Sequence, residues 1–106
     1  MITKQKTLKL IKEKVDAKTN GKIKLKKMVN TNMVCGIFKH IEPKRIKELF
    51  KRGNSVYVVD DNYEAHNLNE LDTNALHRIM WQIISDKEKK DIALKHLLET
   101  KAYLKN

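Results

Sequence analysis

Lys22, Lys24 and Lys26 alternate with Ile23 and Leu25. On a β-strand this alternation puts three ammonium groups on one face, about 6.5 to 7 Å apart, close to the spacing of phosphates along a nucleic-acid strand. A row of that kind holds a polyanion by attraction and counterion release, with no need to read bases. Lys6, Lys9, Lys27, Lys44, Lys47, Lys51 and Arg52 complete a candidate nucleic-acid-binding set drawn wholly from the first half of the chain. The bland alternative is a solvated strand edge guarded by lysine. Arginine is the residue that bonds guanine bidentately, and the chain has only Arg45, Arg52 and Arg78. Phosphate contact without base readout is therefore the expectation. Stacking of unpaired bases would need exposed rings among the lysines. Phe38 and Phe50 read as buried, and Tyr57 and Trp81 as core, so only Tyr63 and Tyr103 are left free and a stacking platform is disfavoured.

The acidic residues carry less chemistry. Asp60, Asn62 and Glu64 imitate the start of a calcium loop, but Ala65 stands where that loop needs glycine and Leu71 where it needs a bidentate glutamate. A hairpin turn explains the same residues. Asp60, Asp61, Glu64 and His66 would be the carboxylates and imidazole of a magnesium nuclease, yet no carboxylate-x-Lys step accompanies them. His40, His66, His77 and His96 lie far apart and only one cysteine, Cys35, is present, so zinc spacing is absent. No catalytic residue, metal ligand, cofactor or small-molecule substrate is assigned, and the expectation is a protein that is not an enzyme.

These residues must be positioned by a small set of elements. Thr3 caps a helix over about residues 4 to 18, with Leu8, Ile11 and Val15 on one stripe and Asn20-Gly21 as its stop. A half-buried strand follows from Lys22, with a bulge at Lys26 and Lys27 returning Met28 to the apolar side. Met33 to Ile41 reads as an interior strand paired with the first, and Cys35 within it as a buried thiol. Glu42-Pro43 opens a second helix that Gly53 closes, with Ile46, Leu49 and Phe50 inward and Lys44, Lys47, Lys51 and Arg52 on the back. Ser55 to Asp60 is a third strand, Asp61-Asn62 a two-residue turn, and Tyr63 to Leu68 a polar edge strand. Asp72 caps a third helix with a wide apolar face, and Ser85-Asp86-Lys87-Glu88 forms a capping box that starts a fourth. On that last helix Leu94, Leu97, Leu98 and Leu104 form the main stripe. Ile92, His96 and Tyr103 fall within about 40° of one another on the other side and are the candidate partner-binding face.

The expected fold is a single α+β domain over residues 1–106, in the order α-β-β-α-β-β-α-α. Its sheet is a mixed four-stranded one with helices mainly on one face, strands 2 and 3 being parallel neighbours. Residues 1–53 hold sixteen Lys/Arg against four Asp/Glu, whereas residues 54–106 hold seven against nine. Twenty lysines beside nine asparagines and ten isoleucines fit AT-rich coding, as in low-GC bacteria, phages and mobile elements, but residues 54–77 hold five acids and no lysine. The asymmetry survives that discount. Nucleic acid or another polyanion is the expected partner. The alternative is a protein-interaction module, a homo-oligomer, virion component or inhibitor of a host protein, using the dipolar surface and the C-terminal helices. Nothing resembles a signal peptide or a membrane span, so a cytoplasmic protein, or a virion protein, is expected.

Overall fold

The computed structural model describes residues 3–31, 34–35, 39–40 and 43–104. Thr3 begins helix α1 (Lys4–Asp16) by accepting the Lys6 N–H, and Thr7, Ile11 and Val15 bury its inner stripe. Gly21, at φ +64, turns the chain into β1 (Lys22–Thr31), and its carbonyl accepts the Lys51 N–H at 2.8 Å. That left-handed conformation is what requires glycine there.

Four strands make the main sheet: β1, then β4 (Lys44–Arg52), β5 (Ser55–Asp60) and β6 (Ala65–Asn67), side by side in that order. All three pairings are antiparallel. Between β1 and β4 in the chain, β2 (Val34–Cys35) and β3 (Lys39–His40) form a separate two-stranded ladder. A single 3₁₀ turn (Leu68–Glu70) leads to α2 (Thr73–Ile83), capped by Asp72 through the Ala75 N–H at 2.8 Å. Then the Ser85 and Glu88 side chains exchange capping bonds, as the sequence predicts, and α3 (Asp86–Leu104) begins.

The core lies between one face of the sheet and the helices α1 and α2. Ile11 and Val15 meet Leu76, Ile79 and Met80 over Leu25, Val29, Ile46, Leu49, Val56 and Val58. Among the described residues, α3 adds Ile92 to this cluster's margin, together with an ion pair from Lys14 to Glu88. At its junction with α2, the Gln82 amide clamps the Lys27 backbone, accepting its N–H at 3.1 Å and donating to its carbonyl at 2.9 Å. The side chain thus acts as a strand partner for a residue that has left the ladder.

The α+β class and the four-stranded sheet stand as expected, but the order is α-β-β-β-β-α-α with the small ladder counted apart from the sheet. The expected second helix is β4, the sheet is antiparallel and not mixed, and β1 pairs with β4, whereas the described residues of the segment that follows it pair with each other. A bulge explains the misreading. Two steps along β4, from Ile46 to Glu48, face one step along β5, from Asp60 to Val59. The extra residue, Lys47, lets Ile46 and Leu49 point to the same side although they are three apart, which is the spacing of a helix. Good helix formers in β4 are overridden because both of its edges are paired. On β1 the irregularity is larger than the expected bulge: Lys24 and Val29 face Glu48 and Ile46, so three residues are extra and Met28 stays 45% exposed. The Cys35, Tyr103 and Leu104 side chains, and residues 36–38, lie outside what is described.

Leu49 is fully buried at the centre of the sheet, whereas Leu97 is 50% exposed. Leu49→Ala is expected to cost about 2–5 kcal/mol and Leu97→Ala no more than about 0.5 kcal/mol. Urea unfolding of the two variants checks both, and equal costs would contradict this packing.

Candidate nucleic-acid interface

Residues directly opposite in a ladder share a face, so the registers sort the sheet's side chains. The face away from α1 and α2 carries two rows. One runs Lys22, Phe50, Tyr57, Asn67 across β1, β4, β5 and β6; the other runs Lys24, Glu48, Val59, Ala65. Arg52 and Ser55 lie beside the first row at the β4–β5 turn. Gly53, with φ +64, makes that two-residue turn with Asn54. Gly-Asn is a hairpin signal as well as a helix stop. Lys22, Lys24 and Arg52 are exposed, while Phe50, Tyr57, Glu48 and Val59 are half-buried. The two rings stack at 5.6 Å between centroids and 22° between planes.

The ten basic residues of the candidate set are not on one surface. Lys22, Lys24 and Arg52 share the open sheet face. Lys26, expected in their row, lies in the irregular stretch of β1 and has no ladder partner. Lys44 reaches Glu64 at 3.8 Å, Lys51 pairs with Asp16 at 2.9 Å, and the Lys47 ammonium sits 3.4 Å from the centre of the Tyr63 ring. Those three cations are held by intramolecular partners. Lys6, Lys9 and Lys27 border a cleft of about 1000 Å³ between α1, α2 and α3, which Arg78 and Lys95 line with Glu13, Glu88, Asp91 and Glu99. Ile92 and His96 line the same cleft, so this part of the candidate partner-binding face looks inward, and it is Leu94, Leu97 and Leu98 of the leucine stripe that face out. Leu94 and Leu98 are each 57% exposed.

No protein-family model, curated protein or solved structure matches the chain. No described helix is long and apolar enough to cross a membrane.

The structure also assembles the acidic hairpin. Asp60, Glu64 and His66 bring ligand-type atoms within 4.8 Å of one another. Asp60, fully buried, already uses both oxygens: Oδ1 accepts the Asn62 and Glu64 N–H groups at 2.8 and 2.9 Å, and Oδ2 lies 2.8 Å from His66 Nε2. The turn is longer than the expected Asp61-Asn62 pair, because Tyr63 adds a third residue at φ +63. Asp60 is the buckle of this turn. Burial pushes its carboxyl up, but the hydrogen bonds from His66 and from the Glu64 and Asn62 N–H groups together outweigh that and hold it below its ordinary value.

A carboxyl lowered by folding stabilises the fold fully above its unfolded value, about pH 3.9, and that stabilisation is lost as pH falls through the folded value. Asp60→Asn is therefore expected to flatten the decline in stability on the acid side of about pH 4. Asp60→Ala, which orphans two N–H donors, should cost roughly 2–3 kcal/mol at pH 7. Urea midpoints measured from pH 7 to pH 2 test both, and an unchanged acid limb in Asp60→Asn would refute the role.

The open-face aromatics are what the sequence reading missed. Phe50 and Tyr57, read as buried, are half-buried on the helix-free side, and Trp81 is 44% exposed at the cleft. The available signal was Gly53-Asn54, since a two-residue turn there places the equidistant Phe50 and Tyr57 opposite each other.

Proposed function

We propose that this protein binds nucleic acid nonspecifically through the open face of its sheet, as an accessory protein and not as an enzyme. The observation that carries the reading is the set of Lys22, Lys24 and Arg52 on one face that no described helix covers, exposed and without an ion pair to any described residue. Cations kept together and unpaired are available to phosphates, whereas Lys44, Lys47 and Lys51 are already engaged. The edge order supports the same polarity: lysine-rich β1 is one edge of the sheet, and the acidic 60–72 segment adjoins the other. Phosphates approach from the β1 side and are repelled from the β6 side. The scarcity of arginine for base readout and the lysine-rich composition suit a phage or mobile-element protein handling nucleic acid of any sequence.

Binding to unrelated oligonucleotides should weaken steeply between 20 and 200 mM salt, as counterion release requires. The variant carrying Lys22→Glu, Lys24→Glu and Arg52→Glu should lose about 2 to 3 from the slope of log affinity against log salt, at about 0.7 to 0.9 per phosphate contact. Fluorescence anisotropy measures both. Absence of binding at 20 mM salt would remove this reading.

A second reading rests on α3. Leu94, Leu97 and Leu98 are at least half exposed on a helix that packs only lightly on the body, which suits a protein-interaction surface. Light scattering should then show an oligomer that grows with concentration and dissolves in Leu94→Lys with Leu97→Lys. A strict monomer would count against self-association.

A further inference from the structure

We infer that the ligand of the open sheet face is a single strand, with unpaired bases stacking on the Phe50–Tyr57 pair. The inference rests on the nucleic-acid reading and adds what that reading leaves open, the strandedness of the ligand. A duplex offers phosphates outside and keeps its base faces stacked inside, so it has no use for half-buried rings at the surface of a sheet. A single strand offers both phosphates and bare base faces.

The first row has the parts in the order such a strand needs. Lys22 stands at one end, the stacked rings of Phe50 and Tyr57 in the middle, and Asn67 at the other end. Arg52 lies next to Phe50 on the same strand face, one ladder step beyond Lys51. Asn67 accepts the Asn69 N–H with its Oδ1, which leaves its NH₂ group as a donor toward a base edge. Three inter-strand spacings separate Lys22 from Asn67, about 14 Å of surface. Two rings fill the centre of that span, and because every base has a π-face, contact with them is tolerant of sequence. This agrees with the scarcity of arginine for base readout.

The second row sets the limits of the site. Glu48 stands opposite Lys24, half-buried and without an ion pair among the described residues, in the middle of the face. Its carboxylate repels phosphates, so the backbone of the strand follows the Lys22 and Arg52 side while bases lie over the rings. Neutralising it should strengthen binding.

The experiment uses the full chain with a labelled fifteen-nucleotide oligo-dT and a hairpin duplex of the same length, followed by anisotropy at 20 and 150 mM salt. Oligo-dT should bind at least about tenfold more tightly than the duplex, and Phe50→Leu and Tyr57→Leu should each weaken it about five- to one-hundred-and-fifty-fold, the range for one lost base stack. Duplex affinity and the salt slope should stay unchanged in both variants. Tyr57→Phe, which keeps the ring, should bind as the parent does, and Glu48→Gln should bind more tightly. If either leucine variant fails to fold by circular dichroism, Phe50→Trp in a Trp81→Phe background decides, because a base stacked on the indole quenches its emission. Equal affinity for the two ligands, leucine variants that bind as the parent does, or an unquenched indole would overturn the single-strand inference while leaving nonspecific binding intact. No binding to either ligand at 20 mM salt would overturn both.

Discussion

One extra residue in the central strand organises this molecule. Lys47 is the bulge of β4, and because of it Ile46 and Leu49 both reach the core while Glu48 and Phe50 are left on the opposite side. A regular strand would send Ile46 and Leu49 to opposite faces, and one of two large aliphatic side chains would meet water. Fully burying such a side chain is worth about 1.5–3 kcal/mol, more than the local loss of one ladder step. The bulge also aims Lys47 at Tyr63, outside the row of free cations. Core, open face and the partition of charge therefore share one cause.

The same partition separates cations that stabilise the fold from cations that remain available. Lys51 ties the end of β4 to the end of α1 through Asp16, and Lys44 and Lys47 tie its beginning to the β5–β6 turn. That turn is itself held by hydrogen bonds, because the buried Asp60 carboxylate gathers two N–H groups and an imidazole. A carboxylate this well bonded tolerates burial that a bare one would not. Its ligand-like neighbours are accounted for by the geometry of a three-residue turn.

At the other end of the chain, α3 is positioned mainly by its own start. The Ser85–Glu88 box satisfies the first N–H groups, and Lys14 holds Glu88 from α1; that contact, with the Ser85 bonds, keeps the Glu88 carboxyl below its ordinary value. Beyond Ile92 the helix leaves the core, which is why its outer leucines face solvent.

Much of this was written in local chemistry. The Thr3, Asp72 and Ser85 caps and the turns on either side of the β5 strand from Ser55 to Asp60 follow from side chains that act on neighbours within a few residues, and sequence alone determines such features. The identity of β4 was not legible, because Lys, Glu, Leu and Arg with apolar residues three apart suit a helix until two strands arrive to pair both edges. Once that segment is a strand, Lys44, Lys47, Lys51 and Arg52 cease to share a face, and Phe50 moves from the core to the open side opposite Tyr57. The sequence by itself determined that the cations lie in the first half; only the tertiary pairing decided which of them share a surface, since strand alternation and register, unlike helix caps, depend on partners distant in the chain.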